Sequence, residues 1–191
     1  PLFQYIGGKQ ANRLPIPMLN VINGGMHADN NIDIQEFMLV PHGLKTFKDA
    51  LRAGAEIYQT LKSILKNKKL TTSVGDEGGF APNLDSNTEA LKLLVKAIEE
   101  SDYTPGKDVS IALDCAASSY YKEGKYHIHE LGHVDYNRLI EYYLELYKSY
   151  PIYSIEDPFD EEDDEAWIAF TKKIGSSLRI VGDDIFVTNP I

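Results

Sequence analysis

Val109–Cys115 reads VSIALDC, an unbroken run of apolar and small residues that ends on an acid. It has no polar alternation, so both of its faces want to be buried. That is the habit of a strand inside a parallel sheet covered by helices. Two later stretches have the same form: Ile152–Asp157 (IYSIED) and Arg179–Asp184 (RIVGDD). Between the first pair, Leu139, Tyr143, Leu146 and Tyr147 recur at helical spacing within Tyr136–Tyr150. Between the second pair, Asp163 or Asp164 opens a helical stretch that runs to Ile174 and closes on Gly175. Strand–helix–strand–helix–strand predicts parallel strands with the helices outside.

Toward the N-terminus the pattern changes. Met18–Ile22 runs into Asn23-Gly24-Gly25, and Ile34–Val40 stops at Pro41; both read as strands. Phe47, Leu51, Ala55, Tyr58, Leu61 and Leu65 mark a helix from Thr46, its N-cap, to about Lys66. A second helix spans Asn87–Ser101, and a hairpin is predicted around Glu123-Gly124 within Lys122–Ile128. The order is ββαα followed by βα units. The fold class is therefore α/β, with about five of the eight strands that a closed barrel needs. The chain opens at Pro1 and stops at Ile191, so residues 1–191 are expected to be an incomplete barrel domain cut from a longer protein. Its two open sheet edges predict instability or aggregation in isolation.

Lys plus Arg number 19 against 29 Asp plus Glu, a net charge of −10 that argues against a nucleic-acid binder, which needs a basic face. An acidic protein that handles an anionic substrate must neutralise it locally, and a metal ion is the usual means. No apolar run approaches the ~20 residues of a membrane helix. A single cysteine, Cys115, allows no internal disulfide, so a cytoplasmic location is expected.

The acids point to the chemistry. Asp114, Glu156 and Asp183 end the three core strands, and parallel strands present those ends at one face. Each acid alone could cap a helix; three in equivalent places call for a cation between them. Oxygen-only ligation suits Mg²⁺. A second acidic feature is Ser73–Asn83, SVGDEGGFAPN, where Gly75, Gly78 and Gly79 bracket Asp76 and Glu77. By itself it could be a solvated turn, but a tight glycine loop also fixes where a proton-transferring carboxyl points. No Lys-Ser/Thr follows it, which excludes a phosphate cradle. Asp29, Asn31 and Asp33 have calcium-loop spacing, yet Ile34 and Val40 stand where such a loop needs Gly and Glu. Of the histidines, His127, His129 and His133 fall in or near the hairpin and are read as exposed, and His42 sits in a loop. His27 follows a Gly-Gly pair in a mobile-looking loop one strand from Glu36.

Six ordered motifs span Asn20–Pro190: NVINGGMHADN, IQEFMLVP, SVGDEGGFAPN, ALDCAAS, SIEDPF and VGDD-x-FVTNP. Together they closely resemble the enolases. The resemblance implies a partial enolase-type TIM-like barrel and the reversible dehydration of 2-phosphoglycerate to phosphoenolpyruvate with Mg²⁺. It implies Asp114, Glu156 and Asp183 as metal ligands and Glu77 as general acid, with Glu36 beside it favouring its protonation by like-charge repulsion. Gln35 and His27 would contact substrate, with Glu36, Glu156 and Asp183 lining the same site, and His27 would come from a closing loop. The family's N-terminal capping domain and the last barrel strands, including the lysine base, have no counterpart in these residues. Met26, where many members carry a small residue, is expected to stand clear of the chemistry. The resemblance also implies a homodimer or higher homo-oligomer for the full-length protein, and a cytoplasmic location, with some members at the cell surface. Two other readings stand beside it: a related barrel acting on another carboxylate, and an enolase-like surface protein that binds a partner without catalysis.

Overall fold

The computed structural model describes residues 1–189. A short helix α1 (Leu2–Gly7) without a buried residue precedes β1 (Leu19–Asn23). β2 (Glu36–Val40) runs back antiparallel to β1, and two helices follow, α2 (Phe47–Asn67) and α3 (Asn87–Glu99). β3 (Ser110–Asp114) is antiparallel to β2. A small ribbon of β4 (Tyr121–Lys122), β5 (Lys125–Ile128) and β6 (Gly132–Val134) leads into α4 (Tyr136–Ser149). Then come β7 (Ile152–Glu156), α5 (Asp164–Ile174) and β8 (Arg179–Val181). The main sheet has the order β1-β2-β3-β7-β8, and its last three strands are parallel. Among the described residues it stays open, with β1 and β8 at its edges, as a partial barrel must.

The helices begin where side chains can replace missing backbone partners. Thr46 Oγ1 accepts from the Asp49 amide at 3.1 Å, Ser86 Oγ from Glu89 at 3.1 Å, and Asp163 Oδ1 from Ala166 at 3.2 Å. α2 buries Ala50, Ala53, Ile57, Leu61 and Leu65, a stripe of three- and four-residue steps that faces the sheet. Two features depart from the sequence reading. α1 lies in a stretch that carried no helical signal, and the hairpin gains a third strand through Gly132–Val134. β8 closes at Val181, as its sequence predicts, which leaves Asp183 in the loop beyond it.

Beyond β7 the core is aromatic. Phe159 is 1% exposed, and its ring meets Phe170, Tyr143, Tyr126 and Trp167 at centroid distances of 5.4, 5.9, 6.0 and 6.2 Å, all edge-on. Edge-to-face contacts of this kind add to the burial of a large ring. The Tyr143 hydroxyl also donates to the Pro158 carbonyl at 3.0 Å, pinning the loop that leaves the strand end. Phe159→Ala removes the hub of this cluster and should cost about 3–5 kcal/mol. A urea titration would show this as a lower midpoint; an unchanged midpoint would mean that the loop packs independently of the core.

Candidate active site

Strand register assembles the site. Asn23 lies opposite Glu36, Glu36 opposite Asp114, Asp114 opposite Glu156, and Glu156 opposite Val181. Paired residues on neighbouring strands share a face and stand about 5 Å apart. One row across the sheet thus carries three carboxyls, from the start of β2 and the ends of β3 and β7. Asp114, Glu156 and Asp157 bring carboxylate oxygens within 4.8 Å of one another.

Such crowding in a half-buried place costs the ionised forms. Burial pushes the Asp114 carboxyl up to about 6, against the lowering effect of bonds from Gln35 Nε2 (3.2 Å) and the Ala116 amide (3.1 Å). Glu156 is pushed up to about 7 by burial first and then by Asp114, Asp157, Asp183 and Glu36. Glu36 rises to about 6 through burial, Asp114 and Glu77, and the nearby His27 opposes the shift. Carboxylates alone, gathered this closely, form the donor set of a hard dication such as Mg²⁺.

Asp183 does not join the close trio. Its amide donates to Asp157 Oδ1 and Oδ2 at 3.1 and 3.2 Å, and the Asp184 amide donates to Asp157 Oδ2 at 2.9 Å. Asp157 is 3% exposed with φ 41°, the left-handed region that few residues other than glycine tolerate. It thus ties the loop after β8 to the end of β7. Sequence reasoning passed over Asp157; its only signal was a second acid directly before Pro158.

The acidic loop reaches the row by pairing with the free edge of β1. The Phe80 amide donates to the Val21 carbonyl, and the Asn23 amide to the Phe80 carbonyl, both at 2.9 Å. A register shift in β1 between Asn20 and Ile22 accompanies this graft. The Tyr58 ring stacks on Phe80 at 4.3 Å, and its hydroxyl donates to the Gly78 carbonyl at 2.9 Å. Gly79 has to be glycine for space: a Cβ there would lie 2.6 Å from Asn23 Oδ1 and 2.9 Å from the Ile22 carbonyl carbon. The result brings Glu77 together with Glu36 and His27, all three offering ligand atoms within 4.8 Å. His27 ends a 3₁₀ turn (Gly25–His27), and its Nδ1 stands 3.5 Å from Glu36 Oε1, ion-pair range without a hydrogen bond's geometry.

Beside this group opens a cavity of about 550 Å³ lined by Met26, His27, Gln35, Ala116, Ser118, Ser119 and Asp184. Met26, which the sequence places clear of the chemistry, therefore lies on its wall, as does Asp184. Gln35 and His27 both line this space.

The raised carboxyls give a signed pH dependence. Glu36, Asp114 and Glu156 bind protons in the folded state at pH values where the unfolded chain has already released them. Without metal, stability therefore falls as pH rises from the ordinary carboxyl range through about 6 to 7. In calorimetry the chelator-treated protein should melt higher at pH 5.5 than at pH 8, and Mg²⁺ should raise the pH 8 value. Glu156→Gln should raise the metal-free melting temperature at pH 8 and blunt the response to Mg²⁺. Identical melting at both pH values would show that the carboxyls are not crowded in solution.

Beyond the site, the match to known proteins is broad. The family model described as "Enolase, C-terminal TIM barrel domain" covers residues 11–191, which includes every strand of the main sheet and the acidic loop. A match of that extent, across a sheet whose strand ends carry the acids, makes this chain a member of the enolase family through its C-terminal barrel domain.

Proposed function

We propose that these residues form the acid-and-metal half of a lyase site that interconverts 2-phospho-D-glycerate and phosphoenolpyruvate. The observation that carries this reading is the row of Glu36, Asp114 and Glu156 with Glu77 and His27 brought against its end. Asp114 and Glu156, with Asp183 as the further ligand implied by family resemblance, would hold Mg²⁺. When bound there, the ion supplies positive charge that offsets the negative charge developing on a substrate carboxylate.

The chain's own groups have distinct work. Glu77 stands at the tip of a glycine loop and reaches the site from outside the row, a position suited to protonating a departing hydroxyl. Glu36 stands beside it, and burial, Asp114 and Glu77 hold its own carboxyl up to about 6. Gln35 gives its amide N–H to Asp114 and so keeps its carbonyl oxygen free for a substrate hydroxyl. His27, on a turn beside the cavity, can donate to an anionic group and cover it. The mixture of acid loop and histidine loop favours this reaction over other carboxylate chemistry on a related barrel, and over a role in binding alone.

The α-proton needs a base, which the resemblance assigns to a lysine with no counterpart in residues 1–191. The 191-residue chain alone should turn over no 2-phosphoglycerate when enol formation is followed by ultraviolet absorbance. In the protein from the full reading frame, Glu77→Gln should lower kcat by about 10²–10⁴-fold with a much smaller effect on KM. Turnover by the short chain would overturn the assignment of the base, and full activity of Glu77→Gln that of the acid.

A further inference from the structure

The ribbon β4-β5-β6 carries a second cluster of ligand-type side chains that the acidic site does not use. On β5, Tyr126 and Ile128 are buried, so the residue between them, His127, must point outward. His133 is its direct partner across the ribbon, in the register His127↔His133. Their rings stack at a centroid distance of 3.9 Å and an interplanar angle of 13°. A cavity of about 330 Å³ opens beside them, lined by both rings together with His129, Asp33 and Gly132.

We propose that His127 and His133 chelate a late first-row transition-metal dication, of which Zn²⁺ is the probe, at a site separate from the carboxylate row. Direct cross-strand partners stand with their Cβ atoms about 5 Å apart, so both imidazoles can reach one Zn²⁺ at about 2.1 Å once the rings turn out of their stack. Imidazole selects Zn²⁺, Ni²⁺ or Cu²⁺ and discriminates against Mg²⁺, so the two sites divide by ligand type. The remaining positions fall to water.

The scaffold under the pair is fixed from three sides. The His129 amide donates to Asp33 Oδ2 at 3.0 Å, the Tyr142 hydroxyl of α4 donates to the Glu130 carboxylate, and the Tyr126 hydroxyl donates to Asp163 Oδ2 at 2.7 Å. Gly132, at φ 74°, closes the turn that sets the two histidines opposite one another. Ligands on a ribbon tied down in this way lose little freedom when an ion joins them.

Zn²⁺ could also bind through His27 and its neighbouring acids, so the test removes that route. Isothermal titration of the His27→Ala protein with Zn²⁺ in saturating Mg²⁺ should give one site per chain. Adding His127→Ala or His133→Ala should weaken that site at least tenfold. His133→Gln, which keeps the size and polarity of an exposed residue, should weaken it equally and so excludes loss of folding as the cause. Absence of Zn²⁺ binding in the His27→Ala background would overturn the proposal. So would unchanged affinity in the two hairpin alanine variants, which would leave the pair a stacked surface contact.

Discussion

Like-charge crowding is the constraint around which this molecule is built. Asp114, Glu156 and Asp157 hold carboxylate oxygens within 4.8 Å of one another, half or more removed from water. Free in solution such groups would separate, and here three things prevent it. Strand register sets Asp114 beside Glu156 through backbone bonds that no side-chain repulsion can break. Two backbone amides, from Asp183 and Asp184, occupy the Asp157 carboxylate. Gln35 and the Ala116 amide occupy Asp114. The last two devices supply N–H donors in place of the lost water, as buried carboxylates require.

The same constraint explains how the acidic loop is held. A loop carrying Asp76 and Glu77 has no hydrophobic reason to approach a row of acids. It is drawn there by Phe80, 1% exposed under Tyr58, which fills the β1 edge with its backbone and the core with its ring. The repulsion between Glu77 and Glu36 is thus opposed by burial of an aromatic ring, which stabilises far more than a half-solvated charge pair destabilises. Glycines at 75 and 79 let the backbone lie flat on Asn20 and Asn23, where any Cβ would collide.

What the sequence makes legible follows from which interactions are local. Apolar runs ending in acids give β3, β7 and β8, and Thr46 and Asp163 announce their helices by capping chemistry. The family of motifs marks Glu36 and Glu77 as neighbours. Register is not local, so nothing in IQEFMLVP says that Glu36 rather than Gln35 stands opposite Asp114; tertiary pairing decides it. Asp157 stays hidden because its part depends on a left-handed backbone and on amides 26 and 27 residues away. Gly132–Val134 is too short a strand to show alternation, which conceals the third ribbon strand and with it the facing of His127 and His133.

The distribution of unmet polar groups points to the same place. Among the described residues, the buried side-chain atoms without a protein hydrogen-bond partner belong to Asn20, Asn23 and His27 alone. All three border the acidic loop: Gly79 abuts both asparagines, and Gly75 lies against Asn23 and the His27 carbonyl. A buried, unpaired amide costs on the order of 1–3 kcal/mol. Elsewhere in the core, Tyr, Ser and Asn side chains find partners across long sequence distances. Among the described residues, the polar groups left for water or a ligand to satisfy thus gather at the junction of β1, the His27 turn and the loop that carries Glu77. Local rules of satisfaction are relaxed at this one junction, where the sheet edge, the loop that carries Glu77 and the His27 turn meet.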